Sequence, residues 1–270
     1  MAHLPRLVGR IALLCLLCCA CGAAGADDVE RYDGLAYARD GARLLYRETH
    51  WRYADAKVAQ RLVLYRCPDG QAFARKRVID GAQAEAPNFD FSDGRDGYRE
   101  GVRGRGGGRE VYVQDDARAP LRTRALKLPR DAVIDAGFDA MVRARWDTLS
   151  QGRSIAIPFL LPSRFDFLDL KLAATAPTRV DGRPARRLRM SLDRWYGFAI
   201  PAVELTYADA DRRLLEFRGI GTVRDRRGRP LDVRIAFPAD AVARDATRAE
   251  IERAAAMPLV RSCGAGSPSV

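Results

Sequence analysis

The sequence is poor in histidine: of 270 residues two are histidine, and beyond the N-terminal stretch only His50 remains. A serine-type relay needs an imidazole to take the proton of the nucleophile, and the chain also lacks the G-x-S-x-G turn that exposes such a serine. One histidine, no H-E-x-x-H and widely spaced cysteines leave catalytic zinc without a ligand set. Calcium fares no better. In "NFDFSDGRDGYRE" the acids Asp90, Asp93 and Asp96 stand three apart with Arg95 and Arg99 among them, whereas a calcium loop needs oxygens at alternate positions and a closing glutamate. These aspartates are expected to cap turns and pair with arginine. His50, in the strand-like "YRETHWRY" with Glu48 and Arg52 on its own face, is expected to be a structural group held by its carboxylate neighbour. The expectation is a non-enzymatic protein with no catalytic residue, no metal and no cofactor. One alternative stays open, because a pair of carboxylates on distant strands leaves no local spacing. Trp51, Tyr53, Trp195 and Tyr196 are available to stack on a sugar.

Cysteine is scarce outside one cluster. Cys15, Cys18, Cys19 and Cys21 crowd into "LLCLLCCACGAAGADD", preceded by Arg6 and Arg10 and followed by small residues at Ala24 and Ala26. Basic start, short apolar run and small-residue site are the order of a secretory signal peptide, and the run falls well short of the ~20 residues that span a bilayer. Cleavage after Ala26 makes residues 1–26 a leader and residues 27–270 a single β-rich domain with a short flexible C-terminal tail, delivered to the periplasm. The rival reading is a lipoprotein anchored through Cys21, which lies between Ala20 and Gly22 with Cys18 where such sites usually carry Leu. The mature chain then keeps Cys67 and Cys263. In an oxidising compartment two such cysteines are expected to form a disulfide; the alternative leaves Cys263 unpaired in the tail "RSCGAGSPSV".

Lysine is the third shortage, with only Lys57, Lys76, Lys127 and Lys171. Without Arg6 and Arg10 the mature chain has 44 basic and 35 acidic residues, a net charge of +9. The arginines are spread over nearly every segment and form no stripe of the kind nucleic-acid binding requires. Nucleic acid is therefore not an expected partner. Lipid headgroups and envelope polysaccharides remain as anionic partners, and a plain solvated surface is the alternative. The glycine run from Gly104 to Glu110 precedes the strand pattern "REVYVQ" and not a helix, so it is a loop and not a phosphate cradle.

What the sequence does contain is period-two alternation. "RLVLYRCPDGQAFARKRVI" is two apolar-rich runs around Pro68-Asp69-Gly70, a β-hairpin. Leu168, Leu170 and Leu172 alternate, as do Leu188, Met190 and Leu192, and Val203, Leu205 and Tyr207. Helical spacing of Ile134, Phe138, Met141, Val142, Trp146 and Leu149, after Pro129 and before Gly152, predicts a helix over 131–150. A second helix is expected over 239–256. The fold class is α+β, β-dominated: a curved antiparallel sheet, an unclosed β-barrel, packed on one or two helices.

"TRVDGRPARRLRMSL" followed by "AVELTYADADRRLLEFRGIGTVRDRRGRPLDVRIAFP" resembles the strand and hairpin succession of exported bacterial β-rich proteins of unknown function. More distantly it is similar to periplasmic lipoprotein-carrier half-barrels. The resemblance, over about residues 155–238, implies a concave apolar face lidded by helices that holds acyl chains; it transfers no lipid-contacting residue. From the residues themselves, "SIAIPFLLPSRFDF" and the helix supply candidate cavity side chains: Phe138, Met141, Trp146, Phe159 and Phe165. The expected function is a periplasmic carrier, a monomer, for an amphipathic lipid-like molecule with an anionic head met by arginines at a rim. The alternative is a cell-envelope protein-interaction module without a ligand, its apolar residues forming an ordinary filled core. A hydrolase with no recognisable motif stands third.

Overall fold

The computed structural model describes residues 29–81, 83–192 and 202–264. The leader with Cys21, the aromatic pair Trp195 and Tyr196, and the last residues of the tail lie outside the described residues.

The first half of the chain is a meander of β1 (Glu30–Ala38), β2 (Leu44–Asp55), β3 (Val58–Arg66), β4 (Ala72–Ile79), β5 (Asn88–Asp93), β6 (Arg99–Arg103), β7 (Glu110–Gln114) and β8 (Arg122–Ala125). The second half adds β9 (Ile155–Leu161), β10 (Asp166–Val180), β11 (Arg183–Leu192), β12 (Val203–Ala208), β13 (Leu214–Arg224) and β14 (Pro230–Ala236). Antiparallel pairing of β1 with β14 joins the two meanders, so the order runs β8 to β1, then β14 to β9. The two-residue β15 (Val242–Ala243) also pairs with β1. The result is one large curved antiparallel sheet that is not closed into a barrel. At one edge the backbone of Val133 bonds to Pro158 and Leu160 on β9. At the other, β8 exposes all four residues, and its two arginines lie over the Phe165 ring at 5.3 and 5.5 Å. Edge arginines discourage pairing with a further strand.

The hairpin turns where expected. Gly70 has φ +93°, a conformation that L side chains rarely adopt, and Asp69 Oδ1 accepts a hydrogen bond from the Gln71 N–H. The tip is tied to the C-terminal segment by the Cys67–Cys263 disulfide, which closes a separation of 196 residues.

The helices differ from the sequence expectation. In place of one helix over 131–150 there are α1 (Gly137–Ala144) and α2 (Trp146–Ser150), separated at Arg145. The first turn is lost because Val133 spends its N–H and C=O on β9, and because Asp131 and Asp135 both adopt positive φ. The second helix is α3 (Arg248–Ala256), not 239–256; residues ahead of it are taken by a 3₁₀ turn and by β15, and Thr247 caps its start by accepting from the Glu250 N–H. The two helical regions sit on opposite sides of the sheet. From inside, α1 and α2 pack Phe138, Met141, Val142, Trp146 and Leu149 against Leu170, Leu172, Leu188, Leu205 and Tyr207. From outside, α3 covers Trp51, Leu62 and Leu64 with Ile251 and Ala254. Leu62 and Leu64 are almost fully buried there, about 1.5–3 kcal/mol each for a side chain of this type.

Candidate functional site

Because α3 and the segment after it cover Trp51, Leu62 and Leu64 on the outer face of β2 and β3, the middle of these strands is buried on both faces, while their hairpin ends stay exposed. Period two then sends Trp51, Leu62 and Leu64 outward and Tyr46, Glu48, His50, Arg61 and Tyr65 inward. Lys76 on β4 and Glu100 on β6 join them. Across the interior stand Leu168, Leu170, Met190, Val203, Leu205 and Phe217, from β10 to β13. Between the polar wall and the apolar wall lies a cavity of about 620 Å³.

The titratable groups of the polar wall are arranged in hydrogen-bonded or ion-paired sets. Lys76 Nζ donates to Asp135 Oδ1 at 2.6 Å and reaches Thr222 Oγ1 at 3.3 Å. His50 Nε2 is 2.8 Å from Glu48 Oε2, and its ring stacks on Tyr32 at 4.6 Å between centroids. Arg61 lies 3.7 Å from Asp139, which also accepts from Arg143 at 3.1 Å and from the Tyr207 hydroxyl at 3.1 Å. The Tyr98 hydroxyl donates to Glu100 Oε2 at 2.7 Å.

Burial sets the protonation of several of these groups. It pushes the His50 imidazole below its ordinary value, against the pull of Glu48. It pushes the Glu100 carboxyl up, against the Tyr98 hydroxyl and Lys76. Burial also opposes the Arg61 charge, but Tyr32, Asp139 and Asp135 together hold this guanidinium above its usual value. The lining as a whole carries six carboxylates and six Lys or Arg side chains, although the full chain has a formal net charge of +11. The arginine excess is therefore outside the cavity, and the cationic rim expected for an anionic head is not concentrated on this lining.

Of the candidate side chains expected from sequence, Phe138 and Phe159 line the cavity, their rings 6.5 Å apart edge to face. Trp146 is buried against Tyr207 at 6.3 Å, behind the lining. Met141 lines a separate groove with Pro129, Ala144 and Ile157. Phe165 packs at the seam under Arg122 and Arg124. The expectation that Asp93 and Asp96 serve turns is met: Asp93 binds the Arg95 side chain and backbone N–H, and Asp96 accepts from the Tyr98 N–H. Among the described residues no group of three or more His, Cys, Asp or Glu could hold a metal ion. The residues missed from sequence are Tyr46, Tyr65, Lys76, Glu100 and Asp135.

No protein-family model matches the chain, and no curated protein matches it. Among solved structures it is similar to a β-barrel-like protein of domain of unknown function DUF1849 from Brucella abortus, with 8% identity and a TM-score of 0.47 over 81% of this chain and 98% of that one. It is also similar to MucB, with 12% identity and a TM-score of 0.30 over 90% of this chain and 60% of that one. A third is a DUF1329 family protein from Desulfovibrio piger ATCC 29098, with 9% identity and a TM-score of 0.29 over 82% and 87% of the two chains. The chain spans 60% of the length of MucB.

Proposed function

We propose that this chain is a non-enzymatic carrier that takes one amphipathic, lipid-like molecule into the cavity of its sheet, after export to the periplasm through the leader 1–26. The observation that carries this reading is the cavity itself: 620 Å³ with an apolar wall facing a polar one. Sites for small molecules typically measure roughly 300–1,000 Å³ and combine an apolar lining with a few oriented polar groups. A filled core, as the interaction-module alternative requires, would leave no such space between β2 and β12. The tail lies along Leu168, Leu170, Met190 and Leu205, under Phe138 and Phe159. The head faces Glu48, Lys76 and the tyrosines. The balanced charge of the lining supports an amphiphile without requiring the anionic head inferred from arginine content. Export is supported by the Cys67–Cys263 disulfide, since such bonds persist in oxidising compartments.

The test is native mass spectrometry of the protein purified gently from its own cell envelope, with solvent extraction of whatever is bound. The reading expects one amphiphile per chain, or saturable one-to-one uptake of an added apolar fluorophore by the emptied protein. Neither a bound molecule nor any uptake would leave the interaction module as the better account.

A further inference from the structure

We propose that the molecule held in this cavity has an uncharged, hydroxyl-bearing head, and that the phenol hydroxyls of Tyr46 and Tyr65 hydrogen-bond it. The inference rests on the carrier reading above and names the class of its ligand. Three observations carry it.

The first is charge. The lining balances six carboxylates with six basic side chains, and the cations set among the buried carboxylates are already paired, Lys76 with Asp135 at 2.6 Å and Arg61 near Asp139 at 3.7 Å, while Glu48 is hydrogen-bonded at 2.8 Å to the His50 ring. An ionised head placed at these tyrosines would have to break into one of these contacts to find a counter-charge, because Arg213, the lining guanidinium whose buried Nη2 has no partner, sits over the Tyr32 ring instead, and unpaired buried charge is costly. A neutral head brings none.

The second is hydrogen bonding. Tyr46 and Tyr65 are 1% and 5% exposed, their rings are 6.1 Å apart, and both line the cavity. Burial and the nearby Glu48 keep both phenols protonated, and neither hydroxyl has a hydrogen-bond partner among the described residues. Two other buried tyrosines behave differently, since Tyr98 and Tyr207 give their hydroxyls to Glu100 and Asp139. The hydroxyls of Tyr46 and Tyr65 are not among the side-chain atoms sealed without a partner, and both residues line the cavity, so a bound molecule can reach them. A phenol both donates and accepts, so a hydroxyl or an ester oxygen on the ligand completes this pair, where a quaternary ammonium can neither donate to it nor accept from it.

The third is placement. Tyr46 and Tyr65 line the cavity from β2 and β3, and Leu205 and Phe217 line it from β12 and β13. A single-chain molecule with its hydroxyls at the tyrosines can lay its chain on the apolar wall without burying a polar atom there.

The experiment compares three probes of equal alkyl length by displacement of an apolar fluorophore: a 1-monoglyceride, a fatty acid carboxylate and an alkyltrimethylammonium, each at low and high salt. The monoglyceride should bind about tenfold or more tightly than either charged probe, with little salt dependence. The double variant Tyr46→Phe/Tyr65→Phe should lose about tenfold for the monoglyceride relative to its own affinity for the fluorophore. Carboxylate or ammonium binding as tight as that of the monoglyceride would overturn the proposal, as would an unchanged ratio of monoglyceride to fluorophore affinity in the double variant. Failure of every probe, fluorophore included, would overturn the carrier reading itself, and so is distinct from a wrong head group.

Discussion

Lys76 on β4 donates at 2.6 Å to Asp135, the residue that turns the chain into α1, so a buried ion pair joins the polar wall of the cavity to the helix that borders it. Its members are 8% and 14% exposed in their side chains. Removing one partner strands the other, so Lys76→Met alone should destabilise the fold by about 3–5 kcal/mol, while Lys76→Met/Asp135→Leu should recover most of that loss. Denaturant unfolding of the three proteins measures this. Equal stability of Lys76→Met and the parent would show that the pair has no structural weight.

The Cys67–Cys263 disulfide holds the segment after α3 against the outer face of β3 and β4, where Val260 donates its N–H to the Ala72 carbonyl. For a loop this long the chain-entropy model gives roughly 5 kcal/mol, an upper figure in practice. Replacing both cysteines by serine should therefore cost about 2–5 kcal/mol. Non-reducing peptide mapping of the parent should recover the cross-linked pair, and alkylation of both thiols in native protein would contradict it.

Phe138 and Leu149 both face inward from the helices, but only Phe138 borders the cavity. Leu149→Ala should cost about 2–5 kcal/mol, as for a fully packed core side chain. Phe138→Ala should cost less than about 3 kcal/mol, the low end for a packed Phe, because part of its surroundings is already open. It should also weaken retention of a bound fluorophore, which Leu149→Ala should not. Reversal of the two stability costs would mean that α1 plugs a filled core.

His50 gives a pH signature. Its folded value is depressed by burial from an ordinary 6.5, so the unfolded chain takes up a proton that the folded chain refuses. The stability contributed by the neutral ring is present above pH about 6.5 and is lost as pH falls from there through the folded value. Unfolding free energies at pH 8 and pH 5 should differ more for the parent than for His50→Gln. An identical difference in both proteins would remove His50 from the pH response.

How much of this was legible differs between the two walls. The apolar wall is visible in sequence because Leu168 and Leu170, Leu188 and Met190, and Val203 and Leu205 keep one face of three neighbouring strands apolar, and that face is the concave one. The polar wall is not, since Tyr46, Glu48 and His50 alternate as they would on a solvent face. What distinguishes them is the opposite face: Trp51, Leu62 and Leu64 are covered by α3, a contact made across 199 residues between Trp51 and Glu250. No local pattern reports that. The helix boundary failed for a similar reason. Ile134 fits helical spacing, but the backbone beside it at Val133 is claimed by β9, and tertiary pairing outweighs periodicity there.

The most direct test of binding inside the sheet is to fill the space. Gly221 lines the cavity, and a Cβ placed there meets Val233 Cγ2 at 3.5 Å, the Tyr46 hydroxyl at 3.7 Å and the Leu231 carbonyl at 3.8 Å, all ordinary van der Waals contacts, so a side chain can enter without displacing backbone. Gly221→Trp should abolish saturable binding of both fluorophore and monoglyceride while its unfolding midpoint stays near that of the parent. Val58→Trp, on an exposed strand end, should bind both as the parent does. Full-affinity binding by a folded Gly221→Trp protein would contradict the account, because the ligand would then lie somewhere other than this cavity.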